Sequence, residues 1–294
     1  MARTALLVTH TGRRESTAHA RTVARDLVEA GFTVRVVAEE AVDLDLPGVV
    51  PMAGLEAAVG AEMVFALGGD GTLLRAAELA RPAKAPMLGI NLGRVGFLAE
   101  AEIGDLDVAV RRVVARAYTV DERLTLDITV TYDGEVVAES WALNEASVEK
   151  GARERMLEVR VDVDGRPLSR YGCDGVVCAT PTGSTAYAFS AGGPVVWPGV
   201  DALLLVPISA HALFSRPLVT SPASTIAITV DPHAPVAVLC CDGRRVFDVP
   251  PGSVVTVRRG VLPVLVAQLR PRAFTDRLVA KFGLPVAGWR ANAS

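Results

Sequence analysis

The feature that most constrains this chain is a change of grammar near residue 118. Before it, short apolar runs alternate with helical stretches. TALLVT (4–9) leads to a helix over TAHARTVARDLVEA, with Ser16 as its cap and Gly31 as its stop. TVRVV (33–37), EMVFAL (62–67), a helix over TLLRAAELA (72–80), PMLGI (86–90) and a helix over 104–117 follow. Strands apolar on both faces that alternate with helices predict a parallel sheet covered on both sides. From 118 to about 265, runs rich in Val, Thr, Leu and Ile succeed one another with almost no helical period. Asp-Gly punctuates them at 133–134, 164–165 and 242–243. Asp-Gly suits the left-handed residues of a tight hairpin turn, so this stretch predicts antiparallel β-structure. The segment RAFTDRLVAKFGLPVAGW returns to an amphipathic helix, expected to pack back on one of the domains. The expected division is an α/β domain over 1–117, rejoined by a helix at about 266–294, and an all-β domain over 118–265.

With 294 residues, 50% of them hydrophobic, each domain is large enough to bury its own core. The net charge of −3 advertises neither nucleic acid nor an anionic membrane as partner, so an anionic substrate must be held by local groups. Only three lysines occur (Lys84, Lys150, Lys281), the remaining basic residues being arginine, as a GC-rich coding genome gives. No GxxxxGK[ST] is present, which removes a Walker-type phosphate loop. Cys173, Cys178, Cys240 and Cys241 form no CxxC pair and sit in apolar runs. Adjacent cysteines are poorly placed for a disulfide, so the four read as small hydrophobes of a reduced compartment. The start lacks a signal-peptide pattern and no run of about 18 apolar residues appears, so a cytoplasmic location is expected.

The sharpest chemical signal is Phe65-Ala66-Leu67-Gly68-Gly69-Asp70-Gly71-Thr72. A buried strand enters a turn of three glycines around one acid, and a helix leaves it. Glycines let the backbone approach a phosphate and turn N–H groups toward it, and the helix N-terminus favours an anion. Asp70 would repel a phosphate held alone. It makes sense as a base for an attacking hydroxyl, or through a bridging divalent ion, or as a plain helix cap. Asn144-Glu145 lies between β-like runs, where an amide beside a carboxylate suits a base edge and a ribose diol. Further on, Asp174-Gly175 leads to Thr180-Pro181-Thr182-Gly183-Ser184-Thr185-Ala186-Tyr187, ending in Ser190 and Gly192-Gly193-Pro194. Thr182, Ser184 and Thr185 can cap the following helix while offering hydroxyls to a ligand, and Tyr187 can stack on a purine. Gly89-Ile-Asn91-Leu-Gly93-Arg94-Val-Gly96 suits a nucleotide pocket, although turn geometry explains it nearly as well. The histidines, at 10, 19, 211 and 233, show no metal-ligand spacing, and GxSxG is absent, so metallohydrolase and serine-hydrolase readings drop out.

Taken together, GGDGT at 68–72, NE at 144–145 and DG…TPTGSTAYAFSAGGP at 174–194 resemble the NAD kinase family (ATP/polyphosphate-NAD kinases) in a bacterial, actinobacterial-like form. VPISAHALFSRPLV (206–219) and CDGRR (241–245) are similar to its pattern too. GGDGT alone also occurs in lipid kinases and phosphofructokinases; its conjunction with TPTGSTAY is specific. The resemblance implies a Rossmann-like N-terminal domain, a C-terminal β-sandwich and NAD bound between them. It implies ATP or polyphosphate as donor, Mg²⁺ or another divalent cation held mainly through the phosphates, and a homodimer or homotetramer. Asp70 would be general base on the adenosine 2′-hydroxyl, with Gly71 beside the reacting group and Gly68, Gly69, Gly71 and Thr72 forming the phosphate loop. Asn144 and Glu145 would hold the dinucleotide. Thr185, Ala186, Tyr187 and Ser190 would line the adenine side and Asp174 the nicotinamide side, with Thr182 a further NAD-binding residue, while Arg75, Arg155 and Arg244 fall where polar contacts occur. Ala210 replaces a common proline, and Gly172 stands where some relatives carry a basic contact. A lipid kinase reading leaves TPTGSTAY unexplained and lacks a membrane-facing segment. A non-catalytic dinucleotide sensor would gain little from Asp70.

Overall fold

The computed structural model describes residues 3–9, 14–44, 48–93, 96–152, 155–270 and 273–286. Two units emerge, one of residues up to Glu122 together with those from Val264 onward, the other Arg123–Pro263. Arg94 of the glycine-rich turn, and the last residues of the C-terminal segment, lie outside the described residues.

The first unit is built on strands β1 (Arg3–Thr9), β2 (Phe32–Val37), β3 (Val49–Met52), β4 (Met63–Leu67), β5 (Met87–Asn91), β6 (Ala101–Glu102), β7 (Thr119–Arg123) and β20 (Val264–Gln268). They form one sheet in the order β3-β2-β1-β4-β5-β20-β7, with β6 pairing β5. Every residue of β4 and β5 is buried, the signature of parallel strands covered on both faces. Helices α1 (Arg14–Glu29), α2 (Ala38–Leu44), α3 (Asp70–Ala83) and α4 (Leu106–Val114) accompany the sheet. α1 buries Ala20, Val23, Ala24 and Leu27, α3 Leu73, Ala76, Ala77 and Ala80, and α4 Leu106, Ala109, Val110 and Val113. Each set is the i, i+3, i+4, i+7 stripe of an amphipathic helix. The sheet order reverses at β1, which pairs β2 on one side and β4 on the other, both in parallel. In such sheets the crevice beyond the C-terminal ends of the two strands at the reversal is the ordinary ligand site.

The second unit carries two six-stranded sheets. One has the order β15-β14-β13-β10-β17-β18 and the other β12-β11-β16-β19-β8-β9. Their strands are β8 (Leu126–Tyr132), β9 (Glu135–Ala142), β10 (Glu145–Lys150), β11 (Leu157–Val163), β12 (Arg166–Cys173), β13 (Gly175–Ala179), β14 (Leu203–Ile208), β15 (Leu218–Thr220), β16 (Ile226–Val230), β17 (Ala237–Cys241), β18 (Arg245–Val249) and β19 (Val254–Arg259). Residues of both sheets, among them Ile128, Val148, Val161, Val176, Leu239 and Val257, share one buried core, so the unit is a sandwich. The three Asp-Gly turns close β8–β9, β11–β12 and β17–β18, with φ of 50°, 53° and 55° at the aspartates and 84°, 74° and 65° at the glycines. Left-handed backbone at both positions is what the two-residue hairpins β8–β9 and β11–β12 demand, and β17–β18 uses the same pair with Arg244 as a third loop residue. A short helix, α5 (Tyr187–Ser190), seats Ala188 against Val177, Ala179, Leu204 and Val206 on the face of the β13-containing sheet that turns away from the sandwich core.

Some expectations change. Ser16 lies inside α1, which already begins at Arg14, and is buried rather than capping. α2 and β3 were not anticipated, being short and only partly apolar. The crossings between units fall at 122/123 and 263/264, not at 117/118 and 265/266, because β7 and β20 add to the first unit's sheet. β20 (VLVAQ) is as apolar as the sandwich strands, and only its pairing with β5 distinguishes it. Helix α6 (Phe274–Phe282) ends at Gly283, whose φ of 60° makes the left-handed C-terminal turn.

Candidate active site

At the reversal of the first unit's sheet, β4 ends in Leu67 and the chain turns through Gly68-Gly69 into α3. A Cβ on Gly68 would meet Thr72, 2.8 Å from its Cβ, so only glycine fits there. Around Gly69 and Gly71 nothing beyond the adjoining residues and the helix's own backbone lies within 4 Å of where a Cβ would sit, so there is open space at this helix end. Thr72 and Leu73 return their N–H groups to Gly69 O at 2.9 and 3.1 Å, making Gly69 the cap residue. Asp70 is therefore the first helical residue and not the cap. Its Oδ1 is buried without a hydrogen-bond partner, against the backbone of Gly96, 3.1 Å from the site of a Cβ there to Asp70 Cγ. A buried carboxylate oxygen with no donor costs free energy.

Beside the loop, Thr9 closes β1. Its hydroxyl donates to Leu67 O at 3.2 Å and its N–H donates to Glu40 Oε2 at 2.9 Å. Arg75 Nη1 of α3 sits 2.6 Å from Glu40 Oε1. Burial pushes the Glu40 carboxyl up to about 7, against the lowering by the Thr9 N–H and Arg75. Glu40 was not foreseen, since Glu39-Glu40 reads locally as a solvated acidic pair.

In the second unit, Asn144 immediately precedes β10, whose Glu145, Ser147 and Glu149 alternate with the core residues Ala146 and Val148. Asp242, at the hairpin between β17 and β18, organises the start of β10. Its carboxylate accepts the N–H groups of Leu143, Asn144 and Glu145 at 2.9, 2.7 and 3.3 Å, and the Arg245 guanidinium at 2.8 Å. Arg245 also donates to Trp141 O at 2.7 Å and lies over the Trp141 ring at 4.6 Å. Glu145 is buried, and its Oε2 accepts the Tyr187 N–H at 3.3 Å. Burial, and then the Asp242 charge, push the Glu145 carboxyl up to about 8. Tyr187 lies along the same strand face, with its hydroxyl 3.4 Å from Glu149 Oε2 and its ring partly open. Burial raises its phenol above the ordinary range.

The 180–187 turn is locked from within. Thr180 Oγ1 donates to Leu143 O at 2.6 Å and accepts the Gly183 N–H at 3.0 Å. Ser184 Oγ donates to Pro181 O at 2.7 Å and accepts the Val196 N–H at 2.9 Å; Thr185 Oγ1 donates to Thr182 O at 3.4 Å. A side chain on Gly183 would run into the Asn144 backbone. The hydroxyls expected to face a ligand thus mostly hold the loop, and no side chain caps the short helices. Thr182, Thr185 and Ala186 are half-buried, while Ser190 is exposed at the end of α5. Asp174 pairs with Lys150 Nζ at 2.5 Å, and that contact holds its carboxyl below the usual range. Arg155 and Arg244 are exposed; Arg245, next along the chain, turns inward to Asp242. Among the described residues no group of three or more His, Cys, Asp or Glu is placed to hold a metal ion, and no helix is long and apolar enough to cross a membrane.

Comparison with known proteins extends this geometry. The family models for the ATP-NAD kinase N-terminal and C-terminal domains match residues 5–118 and 143–269. NAD kinase 2 of Streptomyces coelicolor is 59% identical over 291 residues, covering 98% of this chain and 97% of the relative. Among solved structures, an NAD kinase from Archaeoglobus fulgidus in complex with ATP aligns with a TM-score of 0.73 at 26% identity, over 95% of this chain and 98% of that one. Yeast NADH kinase complexed with NADH aligns with a TM-score of 0.89 at 22% identity, over 97% and 88%, and shares the fold. Since both halves match in order and relatives align along nearly the whole length, the chain belongs to the NAD kinase family.

Proposed function

We propose that the protein transfers a phosphoryl group from ATP, or from polyphosphate, to the 2′-hydroxyl of the adenosine ribose of NAD, giving NADP. The observation that carries this reading is the buried, unpartnered Oδ1 of Asp70 at the open first turn of α3. A ribose hydroxyl is a weak nucleophile near neutral pH, and its proton must leave as the bond to phosphorus forms. Asp70 accepts that proton, while N–H groups of Gly69 and Gly71, with Thr72, hold phosphate oxygens; the Gly68 N–H, expected to join them, is donated to Ile90 O at 3.0 Å, so Gly68 shapes the turn instead. Asn144 and Glu145 bind the dinucleotide, and the Tyr187 ring stacks on a base beside Thr182, Thr185, Ala186 and Ser190. Asp174, Arg75, Arg155 and Arg244 supply further polar contacts, Arg75 in competition with Glu40. A single unpartnered carboxylate oxygen at the loop fits a divalent cation carried mainly by the phosphates. When bound, that ion neutralises charge on the transferred group.

The deciding experiment incubates purified protein with NAD, Mg²⁺ and one donor at a time and follows NADP. No NADP with ATP or polyphosphate would leave a binding module. Phosphorylation of diacylglycerol instead would make the chain a lipid kinase. We further read the active form as a homodimer or homotetramer in the cytoplasm, and a monomer by light scattering at assay concentration would remove the oligomer.

A further inference from the structure

Residues 96–100 join Asp70 to the C-terminal helix. On one side, the side chain that Gly96 lacks would fall onto Asp70 Oδ1, and Oδ2 is 3.3 Å from the same point. The backbone of residue 96 thus forms a wall of the carboxylate's pocket. On the other side, α6 grips the next residues. Arg277 Nη1 donates to Phe97 O at 2.8 Å, and its Nη2 meets Glu100 Oε1 at 2.5 Å. This pair is buried, with side-chain exposures of 12% and 2%. The Phe97 ring lies 5.9 Å from Phe274 and 5.8 Å from Phe282, both on α6. The far end is anchored where Glu100 N–H donates to Gly89 O of β5 at 2.8 Å. The segment is thus held from α6 on one side and from β5 on the other.

We propose that Gly96 and Arg277 are positioning residues for Asp70: α6 clamps Phe97 and Glu100, and the bare backbone of Gly96 is thereby held against the carboxylate. The proposal rests on the reading of Asp70 as general base. The clamp fixes the carboxylate rotamer and keeps Oδ1 out of bulk solvent. A base that must meet one hydroxyl in line with a transferring group tolerates little displacement; a shift of about 1 Å can cost about 10²-fold. Arg277 carries two jobs at once, a donor to the main chain and the counter-charge of a buried carboxylate. Its loss leaves Glu100 unpaired and loosens the segment.

The test uses the full chain with Gly96→Ala, Arg277→Met and Arg277→Lys, each in the wild-type and the Asp70→Asn background. Steady-state kinetics give kcat and KM for NAD and ATP, single-turnover kinetics give the residual rate of the Asp70→Asn series, and thermal unfolding checks the fold. Gly96→Ala and Arg277→Met should each lower kcat by about 10–100-fold while KM for NAD changes by less than about threefold. Arg277→Lys keeps a charge for Glu100 and should recover part of the loss. In the Asp70→Asn background neither change should slow the residual rate further, because both act through that carboxylate. Wild-type kcat in folded Arg277→Met, or in Gly96→Ala should Arg277→Met not fold, overturns the proposal. So do losses that multiply in the Asp70→Asn background. Asp70→Asn turning over at near wild-type rate removes the general-base reading and this proposal together; a collapsed Asp70→Asn beside a fully active, folded Arg277→Met removes this proposal alone.

Discussion

The N–H of Glu145 donates to Asp242 Oδ1 at 3.3 Å, which fixes two carboxylates in one buried corner of the sandwich unit. Asp242 is compensated there by three N–H donors and Arg245, while Glu145 has the Tyr187 N–H. The cost of crowding the charges therefore falls on Glu145, whose carboxyl rises from 4.5 to about 8. The folded protein keeps a proton that the unfolded chain releases, so the stability this group contributes is full below pH 4.5 and is lost as pH rises through about 8.

Glu145→Gln should therefore flatten the fall of Tm with pH across that window, measured by thermal unfolding of the ligand-free protein. Glu40, raised to about 7, contributes a fall of the same sign that the variant retains. Two ribose hydroxyls are better accepted by the ionised carboxylate, so KM for NAD should drop in the wild type as pH rises toward 8 and stay flat and higher in Glu145→Gln. Identical pH profiles in the two proteins would show that Glu145 does not titrate in this range.

Asp242→Ala should destabilise the protein by about 3–5 kcal/mol, since it strands buried N–H groups and leaves Arg245 without its counter-charge. Urea denaturation measures this. A loss below 1 kcal/mol, on the order of one surface hydrogen bond, would mean that the start of β10 holds without Asp242.

Tyr187→Ala should raise KM for NAD by the equivalent of about 1–3 kcal/mol and change kcat little, because stacking is equal in ground and transition states. The N–H that Glu145 accepts belongs to the main chain and survives the substitution. Initial-rate kinetics at saturating ATP decide it; a collapsed kcat with unchanged KM would assign Tyr187 another role.

Asp70→Asn should cost about 10²–10⁴ in kcat, the usual effect of removing a general base. Dinucleotide binding should persist. Folding should persist too, because Gly69 caps α3 and Asp70 contributes only charge at the helix N-terminus, about 0.3–1 kcal/mol. Turnover and NAD titration of the variant check both halves, and near wild-type turnover would place the base elsewhere.

The amino-acid sequence alone determined whatever is local. Three Asp-Gly pairs name their hairpins because both residues must be left-handed, and neighbours alone decide that. The glycine turn after a continuous apolar strand marks the proposed phosphate loop for the same reason, since backbone approach needs missing side chains. Tertiary structure alone decided the partners. Glu145 and Asp242 are 97 residues apart, and Arg277 and Phe97 are 180 apart. Nothing within a few positions of Glu40 distinguishes it from solvated Glu39 until Thr9 and Arg75 arrive beside it. Nor does Ser184 reveal that its hydroxyl closes its own loop until Val196 folds back. Pattern fixes the period of an element and the conformation of a turn, whereas the desolvation that raises a carboxyl, or the burial that leaves Asp70 Oδ1 without a partner, depends on which distant elements the topology brings together.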